Sequence, residues 1–101
     1  MADARTINAA RQRDNAKMAT KMTLNRIRSA MESAIGLMAE CEATSDSQML
    51  FHYGRAVELC EAFNSLAIIA GQLGIQCDRI DSGEFRDLCA AAKESAMGNG
   101  E

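Results

Sequence analysis

The first half of the chain carries one long amphipathic pattern, which predicts a helix from near Asp3 or Thr6 towards Glu42. Its second half is the better defined part, because apolar residues recur there at spacings of three and four: Leu24, Ile27, Met31, Ala34, Met38 and Cys41. Such spacing is typical of the seam along which one helix packs against another. Ile35 widens this stripe to the width that a bundle core uses.

The polar stretch EATSDSQ interrupts the pattern and predicts a turn. Ser45 and Gln48 have the spacing of a capping box, in which each side chain satisfies a backbone donor at the start of a helix. The second helix is therefore predicted to begin here and to run to about Leu73, with Gly74 placed to stop it.

The second helix changes character along its length. One arc of its first half is apolar and is predicted to face the core: Met49, Leu50, Tyr53, Val57 and Cys60. Towards its end, the stretch SLAIIAGQLGI is apolar almost all round. This predicts burial on several sides, either at the centre of the core or in a subunit interface.

A third, shorter helix follows a linker whose Ile75, Cys77 and Ile80 are expected to fold back onto the core. Asp81 or Ser82 can cap this helix. Its apolar residues recur at helical spacing before Gly98: Phe85, Leu88, Cys89, Ala92 and Ala96.

Composition supports an all-helical chain, because proline is absent and good helix formers are abundant. We predict an all-α fold, a small helical bundle with two long antiparallel helices and a shorter third helix. At 101 residues the chain is expected to form a single helical domain over residues 1–101. Residues 1–21 are expected to form a protruding or partly ordered N-terminal helix, and residues 98–101 a frayed tail.

Charge is distributed unevenly along the chain, although the net charge is only −3. Residues 5–28 contain seven basic side chains and one acidic side chain, whereas residues 29–101 contain four basic and twelve acidic ones. The basic segment could contact nucleic acid, contact a protein or be a solvated helix face. Interleaved aromatic residues for base stacking are absent, and no helix-turn-helix pattern flanks the segment, so protein contact is favoured over nucleic acid.

Four of the basic residues, Arg13, Lys17, Lys21 and Arg28, fall within an arc of roughly 80° on a helical wheel. Leu24 points in nearly the same direction further along the helix. One helix cannot bury that direction throughout, so either it bends near residues 20–23 or it extends beyond the body of the protein.

Residues for enzymatic chemistry are scarce. His52 is the only histidine and is predicted to lie on the solvated outer side of the second helix, so no base is positioned beside a nucleophile. The four cysteines lack C-x-x-C spacing, which favours buried, reduced thiols over a metal site. We therefore expect a protein that is not an enzyme and that needs no cofactor. No secretory signal or apolar run of membrane-spanning length is evident, so a cytoplasmic location is expected.

Binding is the remaining class of function, and charged side chains of both signs are its candidates. The candidate partner-binding residues are Arg11, Arg13, Lys17, Lys21, Arg28, Glu58, Glu61, Asp78 and Asp81. Acidic surfaces of this kind suit basic partners, including proteins that handle nucleic acid.

The opening MADARTINAARQRDNAKMATKMT and the small, proline-free helical chain as a whole resemble phage-encoded anti-CRISPR proteins, specifically the type I-F inhibitors. The resemblance implies a stoichiometric inhibitor that binds subunits of the crRNA-guided surveillance complex in the cytoplasm of an infected bacterial host. Such an inhibitor stops the complex from engaging target DNA or from recruiting its nuclease. It implies that the acidic face occupies lysines that otherwise hold DNA, while the basic helix contacts a second protein surface.

An alternative is a small helical DNA-binding or transcription-modulating protein that forms a homodimer through the apolar end of the second helix. A further alternative is a structural or adaptor protein of a phage or mobile element. The sequence leaves open whether the chain is a monomer or a homodimer.

Overall fold

The computed structural model describes residues 4–98, and this part of the chain is entirely helical apart from its connections. It contains three α-helices, which are α1 (Ala4–Ala43), α2 (Met49–Gln72) and α3 (Ser82–Gly98). Because α1 contacts both α2 and α3, the arrangement is that of a helical bundle. The prediction of an all-α bundle is confirmed. Most of the tail expected at residues 98–101, and the first three residues of the N-terminal helix, lie outside the described residues.

The predicted seam of α1 forms one side of the core. Met31 is completely buried, and Leu24, Ala34, Ile35 and Met38 are almost completely buried. Large side chains recurring along one face of a helix give it enough apolar surface to hold two other helices. The prediction of these core residues is confirmed.

α1 is one continuous helix, so of the two alternatives for residues 20–23 the structure shows extension rather than a break. Its 40 residues span about 60 Å at the helical rise per residue, and the longest dimension of the described chain is 66 Å. The hydroxyls of Thr20 and Thr23 donate to the carbonyls of Ala16 and Ala19, at 2.7 and 2.8 Å. Both threonines are therefore satisfied inside the helix.

The turn between α1 and α2 overturns the predicted capping box. α2 begins at Met49, and no side chain caps it from position 48. Ser45 instead has a left-handed backbone (φ 59°), and the Asp46 amide donates to the Cys41 carbonyl at 2.7 Å. This is the hydrogen bond of a Schellman motif, so Ser45 terminates α1 and does not start α2. Gly74, with φ 80°, ends α2 through the same type of motif, as predicted.

The face that α2 turns to the core differs from the predicted arc. Ala56, Phe63, Ala67 and Ala70 are buried, whereas Leu50 is 71% exposed and Tyr53 43% exposed. Large α1 side chains fill the space between the helices, so small alanines allow α2 to approach. The assignment of Leu50 and Tyr53 to the core-facing side is wrong.

The apolar end of α2 is also not buried on all sides. Ile68 and Ile69 are 53% and 51% exposed, although Ala67 and Ala70 beside them are buried. A three-helix arrangement places only one side of α2 against α1, and the opposite side faces outward. Ala67, Ala70 and Ile75 of this stretch belong to the core, but the predicted burial on several sides is wrong within the described chain. The alternative, a subunit interface, stays a prediction.

The linker and α3 agree with the predicted pattern. Ile75 and Ile80 are buried, as expected. The Asp81 carboxylate accepts the Glu84 amide at 2.7 Å and thereby caps α3. Cys89 is buried in the same cluster, and Phe85, Leu88 and Ala92 pack against that cluster.

Candidate binding surfaces

The N-terminal half of α1 forms the first candidate surface, which we call the arm (residues 4–21). Every arm residue is exposed except Lys17 and Thr20, which are half-buried. Alanines and short polar residues dominate its sequence, so the arm has little apolar surface to bury against the rest of the chain. Ile7 and Met18 are its large apolar residues, and both are exposed.

The arm ends beside the last turn of α2. The Lys17 ammonium lies 3.8 Å from the position that a Cβ atom would take at Gly74, so the end of α2 is level with this lysine. Arg11 and Arg13 precede that level, and Lys21 lies one turn beyond it on the same helix. The two arginines therefore project from the part of α1 that α2 does not reach.

None of Arg11, Arg13, Lys17 and Lys21 forms an ion pair within the part of the chain that the structure describes. Arg28 differs from them, because its guanidinium contacts Glu32 at 3.1 Å and Glu84 at 3.7 Å. The structure thus separates Arg28, which links α1 to α3, from the four basic residues nearer the N-terminus.

The remainder of the described chain, residues 22–98, is the body, and it has the opposite charge. It carries eleven acidic and six basic side chains, whereas the arm carries one acidic and five basic ones. Charges of each sign are thus concentrated at different places along a molecule 66 Å long. The molecule is several times longer than the screening distance of about 8 Å at physiological salt. The arm and most of the body therefore present separate electrostatic fields.

Glu58 and Glu61 are exposed on α2, and Asp78 and Asp81 are exposed on the linker that follows α2. Three of these four residues line recesses of the surface. Asp78 and Asp81 line a recess of about 640 Å³ together with Asn64, Ser65, Ile68, Arg79 and Ile80. Glu61 and Asp81 lie on a neighbouring groove of about 600 Å³ between α2 and α3. Glu61, Asp78 and Asp81 therefore lie around Asn64, which lines both recesses, in the half of α2 that ends beside the arm; we call this group the acidic end.

Asn64 holds this acidic end together, and sequence reasoning missed it. Its side-chain amide donates to the Ile80 carbonyl at 2.8 Å, and its amide oxygen accepts the Ile80 N–H at 2.7 Å. The two bonds fix the linker against α2 and place Asp78 and Asp81 beside it. The single amide in the mostly apolar stretch FNSLAII is the sequence signal that could have identified it.

His52 does not have the fully solvated position that its sequence context predicted. The side chain is half-buried, and its Nδ1 atom is buried without a hydrogen-bond partner in the described part of the chain. The ring packs edge-on against Phe51, with 5.3 Å between ring centroids. His52 lies three residues after Met49 and four before Ala56, which is the spacing of the α2 face that contacts α1.

The cysteines are free thiols. Burial raises the pKa of the Cys60 thiol, and the nearby Glu61 and Glu84 carboxylates add to the effect. Burial also raises the pKa of the Cys89 thiol, although Lys93 opposes the increase. A raised pKa keeps a thiol protonated at neutral pH, and a protonated thiol is a poor nucleophile and a poor metal ligand.

Residues 4–98 contain no group of three or more His, Cys, Asp or Glu side chains arranged to hold a metal ion. Nor does this range include a helix with the length and apolar content needed to cross a bilayer. No protein-family model matches the chain, and no curated protein or solved structure is significantly similar to it.

Proposed function

We propose that the protein is a non-enzymatic inhibitor that binds another macromolecular assembly through surfaces of opposite charge. The observation that carries this proposal is the charge separation between a basic arm and an acidic end on the body. The aligned arm residues Arg13, Lys17 and Lys21 form no ion pair within residues 4–98. A partner with both acidic and basic surfaces gains favourable contacts at each end of such a molecule.

The resemblance to type I-F anti-CRISPR proteins identifies the target in this proposal as the crRNA-guided surveillance complex of an infected bacterium. Surfaces that hold DNA are rich in lysine and arginine. The acidic residues Glu58, Glu61, Asp78 and Asp81 would occupy such residues, while Arg11, Arg13, Lys17 and Lys21 contact a neighbouring protein surface. Arg28 contributes by keeping α3 on α1 and so supports the shape of the body.

We also infer that α1 and α2 run antiparallel, which determines where the two charged surfaces lie. Only five residues connect the two helices, and the end of α2 at Gly74 lies beside Lys17, far from that connection along α1. The end of α2, and the start of the linker that carries Asp78 and Asp81, consequently lie beside the base of the basic arm. A partner can therefore contact both surfaces at once.

The test is a measurement of target-DNA binding by the purified surveillance complex with increasing amounts of the protein. Inhibition is expected to saturate near one molecule per binding site, as it does for a stoichiometric blocker. Glu58→Ala/Glu61→Ala is expected to weaken inhibition by about tenfold. Glu40→Ala/Glu94→Ala removes the same charge from exposed positions elsewhere and is the matched control. Unchanged DNA binding at a large excess of the wild-type protein would eliminate the blocking function.

Direct binding to duplex DNA is a second candidate function, favoured by the unpaired basic side chains of the arm. In this case the exposed Ile68 and Ile69 would form the dimer contact. Affinity should then fall steeply with salt, because phosphate contacts release counterions. Replacement of Arg13, Lys17 and Lys21 by alanine should abolish the complex in a gel-shift assay. If no complex forms even at low salt, the DNA-binding function is wrong.

A further inference from the structure

The core-facing side of α1 continues into the arm, and before Lys17 nothing in the described chain covers it. The seam positions Leu24 and Ile27 are preceded at the same three- and four-residue spacings by Ala10, Arg13, Lys17 and Thr20. In the body this side of α1 packs on α2, which ends at the level of Lys17. Before that level the same side presents Ala10 and the unpaired Arg13 to solvent.

The outer face of α2 is acidic, opposite in charge to the arm, and no other part of residues 4–98 packs over its exposed residues. Glu58 and Glu61 are exposed on it, as are Ile68 and Ile69, which lie nearer to its end. The adjoining recess adds Asp78 beside Ile68. No ion pair within residues 4–98 engages Glu58, Glu61 or Asp78. This face therefore combines apolar surface with acidic side chains that form no ion pair within residues 4–98, although Arg79 lines the same recess as Asp78.

We propose that the occupant of this face is the arm of a second copy of the chain, in a reciprocal dimer. Arm against arm would bring five basic side chains of each copy together, and acidic face against acidic face would repel in the same way. Arm against acidic face is the pairing that places Arg5 of one copy near Glu61, and Arg13 near Asp78, of the other. Charge complementarity thus selects one mode of self-association.

The geometry of the chain allows both contacts to form at once. The arm prolongs α1 past the end of α2, and the acidic face lies on the side of α2 away from α1. A two-fold axis beside the end of α2 therefore places the arm of each copy along the outer face of the other copy's α2. Two-fold contacts of this kind are self-complementary and close on themselves, so they give a dimer and not a filament. Ala10 provides a small side chain where the arm would approach Ile68 and Ile69.

The dimer uses the same surfaces as the proposed inhibitory function, so self-association and target binding exclude each other. Its test needs only the purified protein, and its failure therefore leaves the inhibitory function open. Sedimentation equilibrium at about 50 mM and about 500 mM salt measures the dimer dissociation constant under weak and strong screening. The wild-type chain is expected to be dimeric at low salt, with a dissociation constant at least about tenfold higher at high salt.

Charge reversal on each surface tests which residues meet. Arg5→Glu/Arg13→Glu reverses the charge at two positions of the arm, and Glu61→Lys/Asp78→Lys reverses the charge at the two positions that these would meet. Each variant alone is expected to dimerise at least about tenfold more weakly than wild type, because like charges then face each other. Glu40→Lys/Glu94→Lys changes the net charge as much as the second variant does, but outside the proposed contact, and should dimerise like wild type. All four substituted positions in the two test variants are exposed, and circular dichroism verifies that helicity is retained.

Mixing the two reversed variants provides the decisive measurement. In the mixed dimer, the substituted acidic positions in the arm of one chain meet the substituted basic positions on the face of the other, while the two unaltered surfaces pair as in wild type. The mixture is therefore expected to recover wild-type affinity. A monomeric wild-type chain at about 100 µM and low salt would overturn the proposal. So would a dimer that neither reversal weakens, or a mixture that does not recover.

Discussion

The clamp formed by Asn64 makes a quantitative prediction about stability. Asn64→Ala removes both hydrogen bonds to Ile80, which are 2.8 and 2.7 Å long. A hydrogen bond contributes roughly 0.5–1.5 kcal/mol net, and a buried backbone group left without a partner costs roughly 1–3 kcal/mol. Ile80 is almost completely buried, but the clamp itself is only partly buried, so the linker can relax towards water. We expect a loss of about 2–4 kcal/mol in the free energy of unfolding.

The loss should be measured by urea denaturation followed by circular dichroism at 222 nm. Asn25→Ala is the matched control, because Asn25 is exposed on α1 and its replacement should change stability by less than about 0.5 kcal/mol. Asn64→Asp adds a finer test: a carboxylate can still accept the Ile80 N–H, but it cannot donate to the Ile80 carbonyl. A loss for Asn64→Ala no larger than that for Asn25→Ala would show that the clamp does not stabilise the linker.

Two further predictions concern glycines and thiols. Gly74→Ala should lower the free energy of unfolding by about 1 kcal/mol, because the φ of Gly74 is 80°. Gly54→Ala, within α2 and with open space at its Cβ, should raise it by about 0.5–1 kcal/mol. Urea melts in which both changes have the same sign would contradict this. The raised pKa values of Cys60 and Cys89 favour the protonated thiols in the folded state. The free energy of unfolding should be constant below the unfolded thiol pKa of about 8.5 and should fall as pH rises through the higher pKa values of the folded state. Cys60→Ser/Cys89→Ser should reduce this alkaline loss. An unaltered alkaline loss in that variant would refute the attribution of the loss to these two thiols.

The faces of the three helices differ in how far sequence could predict them. The α1 seam was predictable because large apolar residues such as Leu24 and Met31 mark it at regular spacing. The core face of α2 was not, because alanines such as Ala56 and Ala70 form much of it and carry little hydrophobic signal. Leu50 and Tyr53 were predicted to face the core because they are larger and more hydrophobic than these alanines. The regular spacing from Met49 through Ala56 to Phe63 was nevertheless present.

The candidate surfaces show the same division. The sequence identified the basic residues of the arm and the acidic residues of α2 and the linker, because the charge of a side chain follows directly from its residue type. It could not distinguish Arg28, whose ion pair with Glu84 depends on where α3 packs, from Arg13, which forms no ion pair within residues 4–98. It also missed Asn64, whose role depends on a contact with Ile80 sixteen residues further along the chain.

The sequence by itself determined that the chain is helical, where its helices change, which face of α1 is apolar and how charge is divided between its two parts. These properties follow from local propensity, spacing and composition. The tertiary structure decided that α1 continues past the end of α2, that Ser45 ends a helix, and that Ile68 and Ile69 face outward. Each of these depends on which surfaces the other helices cover, because burial is a property of the packed chain and not of a residue type.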